Sequence, residues 1–187
     1  MITTRVVRGG AGVVVVAMAL AAIQAGTAGG QTGRAVGATA KNAAAATCQG
    51  KELGITLTRA SPGLTHHGYV IEFRNRGGAC IITGYPGVDA LNAKGHRVLS
   101  AKRTKSGYLG GVASGPIPKV HLAKGKTASA IVEWIDLGPP CPQAQSLRIT
   151  PPNAFRSVVL SPKSLKAETL CGVEVHPVVP GTTGQKL

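Results

Sequence analysis

Four cysteines constrain this 187-residue chain more than any other feature: Cys48, Cys80, Cys141 and Cys171. All four lie beyond an N-terminal stretch laid out like a secretory signal. Arg5 and Arg8 stand at its start, the apolar run Ala11 to Ile23 follows, and small residues come after it. A chain that leaves a reducing compartment oxidises its thiols, so four cysteines predict two disulfides. Four cysteines allow three pairings, and spacing alone leaves them open. The expected pairing is Cys48 with Cys80 and Cys141 with Cys171, each tying a strand near a domain edge to a later one. Zinc is the rival use of four thiols, but the chain has no close Cys-x-x-Cys pair and export argues against free thiols.

The apolar run is too short for a bilayer-crossing helix, which needs roughly 20 apolar residues. No cysteine follows it closely enough to carry a lipid. Residues 1–28 are therefore expected to be a signal peptide, cleaved after Ala25 or Ala28. The product is expected to be secreted and extracytoplasmic, not lipid-anchored, with no transmembrane helix left after cleavage. Residues 29–47 are rich in Gly, Ala and Thr, carry only Arg34 and Lys41 as charges, and read as a flexible linker. Residues 181–187, Gly-Thr-Thr-Gly-Gln-Lys-Leu, read as a disordered tail.

That leaves 48–180 as one folded domain, long enough to bury a core. Its signals are those of strands. Leu53 to Arg59, Tyr69 to Arg74, Ala128 to Ile135 and Ser146 to Thr150 alternate with period 2, which places one face inside and one in water. Shorter runs at 80–83, 88–91, 97–101, 119–122, 157–160 and 170–175 read as further strands. Gly and Pro clusters separate them, among them Ser61-Pro-Gly63, Gly84-Tyr-Pro-Gly87, Gly138-Pro-Pro140 and Pro151-Pro-Asn153. No long helical period appears. The fold class is all-β, an antiparallel sandwich stapled by two disulfides.

Several segments occur in an order that carries a resemblance: Leu53-Gly-Ile-Thr-Leu57, Tyr69 to Asn75, Cys80-Ile-Ile-Thr-Gly-Tyr-Pro-Gly-Val88, Leu122 to Ala130, Leu147-Arg-Ile-Thr-Pro-Pro-Asn153 and Cys171 to Pro177. Together they resemble the actinobacterial exported proteins that carry the domain of unknown function numbered 4232. The resemblance spans 48 to about 180. It implies an immunoglobulin-like β-sandwich, secreted or lipid-anchored, of the kind found in mycobacteria and their relatives. It implies no activity, no cofactor and no catalytic residue. The chain departs from lipid-anchored members in lacking their attachment cysteine.

Charge is the main functional signal. Residues 48–187 carry 17 basic and 7 acidic side chains, a net of +10. Arg97, Lys102, Arg103 and Lys105 lie close together in sequence, with Lys119, Lys124 and Lys126 not far on. These seven are the candidate anion-binding residues, because a cationic field attracts and steers anions. Nucleic acid is disfavoured as a partner, because aromatic interleaving and a groove-reading helix are missing. An anionic envelope polymer, a lipid head group or a protein is the expected partner; a merely solubilising surface is the plain alternative. Gly107 to Pro116 is a long glycine-rich stretch, read as a mobile connector or as a binding loop beside the cluster.

Other chemistry finds little support. His66 and His67 stand in a turn-like segment and His96, His121 and His176 are scattered, so each reads as a surface residue and no metal is expected. No Gly-x-Ser-x-Gly elbow is present. Glu72 and Glu133 fall opposite apolar faces and are expected in solvent, while Phe73 and Trp134 are expected in the core. The expectation is an exported, non-enzymatic cell-envelope binding or structural module with a basic face and no cofactor. The alternatives are a small-ligand carrier and an envelope-acting hydrolase.

Overall fold

The computed structural model describes residues 46–60 and 63–186. The expected signal peptide, the expected linker up to residue 45, and Ser61 and Pro62 of the first turn lie outside the described residues. Ala46 and Thr47, expected as the end of the linker, already belong to the fold: Ala46 O accepts from Ile81 N–H (2.8 Å) and Thr47 bridges Ile81.

Fourteen strands follow in chain order among the described residues. They are β1 (Leu53–Arg59), β2 (His66–Asn75), β3 (Cys80–Ile82), β4 (Gly87–Leu91), β5 (Arg97–Ser100), β6 (Lys102–Arg103) and β7 (Gly111–Val112). The remainder are β8 (Val120–Leu122), β9 (Thr127–Ile135), β10 (Ser146–Thr150), β11 (Val158–Leu160), β12 (Cys171–Val175), β13 (Val179–Pro180) and β14 (Gln185–Lys186). Each of the ten runs read from sequence holds one of them. Two short 3-10 turns, Gly50–Glu52 and Lys163–Ala167, complete the described secondary structure. His66 and His67 open β2 instead of lying in a turn.

The larger sheet has the order β1-β2-β9-β12-β6, with β13 also paired to β9. The second sheet has the order β11-β10-β4-β5, and β3 pairs with β8 separately. The β2–β9 register sets Ile71 opposite Ala130 and Phe73 opposite Ala128, so large side chains of one strand face small ones of the other. Tyr69 and Trp134 close that face with ring centroids 5.7 Å apart. The second sheet brings Val88, Ala90, Leu147 and Ile149 against it, and these residues share one buried core. This is the expected all-β sandwich. It is not purely antiparallel, because β6 runs parallel to β12 and β14 parallel to β7.

The period-2 reading fails for the outer face of β9. Ser129, Ile131 and Glu133 are buried there, as are the inward Ala128, Ala130, Val132 and Trp134. The cover comes from Thr104 to Val112 and from the chain end. Residues 181–187, expected to be disordered, form an ordered strap as far as Lys186. Gly184 N–H donates to Ser129 Oγ (2.8 Å), and Gln185 Nε2 donates to Leu109 O (2.6 Å). Gly184 has φ +69°, and a Cβ there would overlap Ile131, so only glycine lets the strap lie this close to β9. Polar composition hides such a strap, because its attachment is mostly backbone.

Two disulfides join Cys48 to Cys80 and Cys141 to Cys171, with Cα–Cα distances of 4.9 and 5.4 Å. The first ties the entry to β1 onto β3; the second ties the β9–β10 connection to the start of β12. Each closes a loop of about 30 residues. Loop entropy at that length predicts that Cys141→Ala/Cys171→Ala lowers the unfolding free energy by about 3–4 kcal/mol. Urea unfolding of the variant against the parent checks this, with a somewhat larger m-value expected because the unfolded chain loses a cross-link and exposes more surface.

Candidate functional site

The seven candidate anion-binding residues do not form one face. Lys102 and Arg103 make up β6, an edge strand whose partners in β12 are Glu174 and Val175, and Lys105 follows in the cover of the outer face. Lys124 and Lys126 lie at the opposite end of β9. Asn75 builds that end: its N–H donates to Lys126 O (2.9 Å), its carbonyl accepts from Gly125 N–H (2.7 Å), and its side-chain NH2 donates to Gly78 O and Leu122 O. From Thr127, level with Arg74, to Glu133, level with Glu174 and Lys102, is six residues of strand. That span is about 20 Å, well beyond a Debye length of about 8 Å at physiological salt. The β6 group and the Lys124 group therefore act as separate charges. Arg97 is exposed on β5, and Lys119 is exposed just before β8.

Among the described residues, none of the seven forms an ion pair with an aspartate or glutamate; Glu168 pairs with Arg59 and Asp89 with Arg148, and the rings of His67 and His176 lie 3.3 Å from Glu168 and Glu133. Sequence reading also missed two members of the far group. Arg74 and Arg76 share a surface hollow with Lys124, because the β2 end and the β8–β9 turn meet through Asn75. Alternation on β2 places Arg74 outside, but nothing local to the sequence places it beside Lys124.

Under the cover of the outer face lies a buried polar cluster. Glu133 is 5% exposed and His176 is 0% exposed, against the expectation of solvent for both. Glu133 Oε1 accepts from Tyr108 N–H (2.8 Å) and Oε2 from Leu109 N–H (2.6 Å). His176 Nε2 faces Oε1 at 3.3 Å, and His176 Nδ1 lies 3.1 Å from Thr104 Oγ1. Thr104 Oγ1 donates in turn to Glu174 Oε2 (3.1 Å). Burial alone would push the Glu133 carboxyl up. The contacts from His176, Leu109 and Tyr108 outweigh burial and hold it below the ordinary glutamate range. The glycine-rich stretch is therefore fastened at Tyr108 and Leu109, and Gly107 is small because any Cβ there would overlap Glu133.

A second cluster closes the end of the sandwich. Arg59 pairs with Glu168, and its Nη2 donates to His67 Nδ1 (2.7 Å). The Arg59 guanidinium lies 5.6 Å from the centre of the Tyr69 ring, whose hydroxyl meets Ser164 Oγ at 2.5 Å. Asp136 accepts from the Thr169 hydroxyl, and that bond, followed in weight by opposing burial, keeps its carboxyl below the usual range. These groups fasten the segment from Ser164 to Thr169 onto β1, β2 and β9. Ser164 is committed to Tyr69, and His67 to Arg59. Among the described residues, no three His, Cys, Asp or Glu side chains group as metal ligands.

Between the two clusters, Tyr108 stacks on His66 with ring centroids 4.1 Å apart and stays half exposed. A surface hollow of about 460 Å³ opens beside it, between Arg59, Tyr108 and Gln185 over Val70 and Ile131. The space between the two sheets, by contrast, is filled by the core side chains.

Replacing Glu133 by Gln leaves one of the two backbone N–H groups facing another N–H. The expected loss is about 1.5–3 kcal/mol at neutral pH. The folded carboxyl titrates below its ordinary value of 4.5, so its contribution is full above that value and fades as pH falls through the lower folded value. Thermal unfolding against pH should show the parent losing this increment in acid while the variant does not. Amide exchange at Tyr108 and Leu109 should speed up in the variant.

The sequence matches the model of a family described as Domain of unknown function (DUF4232) over residues 48–179. No curated protein matches the chain. No solved structure matches it. The match covers all strands from β1 to β12 and both disulfides, and the chain belongs to the DUF4232 family.

Proposed function

We propose that this protein is an exported, non-enzymatic binding module of the cell envelope that holds anionic polymer through its exposed cations. The observation that carries this reading is the division of charge. Glu133 holds Tyr108 and Leu109, and Glu168 holds Arg59, in fastening segments to the sandwich, whereas the seven cations are exposed and, among the described residues, form no ion pair with a carboxylate. Two cationic groups about 20 Å apart suit an extended anion better than a compact one. Two disulfides and no helix among the described residues long and apolar enough to cross a membrane are compatible with an extracytoplasmic setting.

The small-ligand reading has one observation of its own, the hollow beside Tyr108 with an apolar floor and an arginine at its rim. A ligand mass retained in native mass spectrometry, and lost in Tyr108→Ala, would favour it over polymer binding.

The polymer reading is tested on an immobilised anionic polysaccharide eluted with salt. Lys102→Glu/Arg103→Glu/Lys105→Glu and Lys124→Glu/Lys126→Glu should each elute at lower salt than the parent, and the combined variant should elute lowest. Charges separated by more than a Debye length act independently, so the two shifts should add. Elution of the parent that does not depend on salt, or variants that elute with it, would reject the reading.

A further inference from the structure

Aromatic side chains are scarce here, with one Trp, three Tyr and two Phe in the chain. Trp134, Tyr69 and Phe73 fill the core, but Phe155 is 103% exposed, so every part of its ring faces water. Its loop is firmly built. Pro151 and Pro152 are buried, Ala154 N–H donates to Pro151 O (3.2 Å), and the hydroxyls of Thr150 and Ser157 meet at 2.7 Å across the neck. The turn Gly50–Glu52 packs against the loop so closely that a Cβ on Gly50 would lie 2.8 Å from Ala154 Cβ. The ring is therefore held out by structure.

Beside it lies a hollow of about 380 Å³ that takes in Lys51, Arg156 and the backbone of Gly50. No carboxylate among the described residues lines it. Glu52, the acidic residue next to Lys51, turns its carboxylate toward Gly77 instead. We propose that this loop docks on an anionic lipid surface, with Phe155 entering the acyl boundary and a lipid phosphate seated between Lys51 and Arg156. Charge complementarity selects the anion, and the projecting ring selects the bilayer. A protein partner is recognised over a broad complementary face, whereas a membrane interface deforms around a single projecting aromatic ring. None of the seven cations of the polymer-binding reading lines the hollow, so the two proposals stand or fall separately.

Cosedimentation with vesicles of mixed phosphatidylglycerol and phosphatidylcholine, and with phosphatidylcholine alone, tests it. The protein should bind the mixed vesicles and not the neutral ones. Phe155→Ala should weaken that binding by about tenfold or more, and Phe155→Leu by less. Lys51→Glu/Arg156→Glu should lower it more than Lys102→Glu/Arg103→Glu/Lys105→Glu does. In Phe155→Trp, tryptophan emission should shift to the blue on mixed vesicles, over the constant signal of buried Trp134. Phe155 is not part of the buried core, so these variants should keep the melting temperature of the parent, and a loss of binding reports on the loop. Three results would overturn the proposal: no binding to anionic vesicles, equal binding by Phe155→Ala, or binding of Phe155→Trp with its tryptophan emission unmoved. The last would mean attraction by charge alone.

Discussion

The β2–β9 ladder is the constraint on which the rest of this structure depends. It runs in unbroken antiparallel register from His66 opposite Ile135 to Arg74 opposite Thr127. A one-residue slip would turn Tyr69, Ile71 and Phe73 away from the core and bring Val70 and Glu72 into it. A one-residue slip of β9 instead would move Glu133 off the outer face, and with it the anchor for Tyr108 and Leu109. The ladder therefore sets two interiors at once: the large one between the sheets, and the smaller one formed by Ala60, Val70, Leu109 and Ile131 under the strap.

The smaller interior is organised by a buried carboxylate. Removing a carboxylate from water is costly unless donors meet it, and Glu133 is met by two backbone N–H groups, with the His176 ring 3.3 Å away. Loss of either donor would leave a buried charge poorly compensated. Glu133 thus gives Thr104 to Val112 one closely defined position, which apolar contact alone would leave less specific. Gly107 and Gly184 admit the two covering segments where larger residues would clash with Glu133 and Ile131.

Legibility followed the range over which each signal acts. Period-2 alternation identified β1, β2, β9 and β10, because one face of each lies on the main core. Alternation could not reveal that β9 is covered on both faces, since Glu133 and Ser129 look like wet positions in sequence and are made dry by residues far along the chain. β6, β7, β13 and β14 have two residues each and no period to detect. The seven cations were visible as residues but not as an arrangement. Nearness in sequence suggested one face, whereas Lys102 and Lys126 sit toward opposite ends of the β9 ladder, with Arg74 and Arg76 joining the second group through Asn75.

Phe155 illustrates a different limit. A phenylalanine near two prolines and an arginine can equally be a core residue of a tight turn, and only the fold separates the two cases. Pro151 and Pro152 take the buried positions, and the Gly50–Glu52 turn occupies the flank beside Ala154. An apolar side chain left in water by a mobile loop could find partial shelter elsewhere on the surface. This loop is fastened at its neck and its flank, so the ring has no such recourse. Exposure enforced by rigid packing, beside cations without a carboxylate in the same hollow, sets this ring apart from the scattered apolar side chains that any protein surface carries.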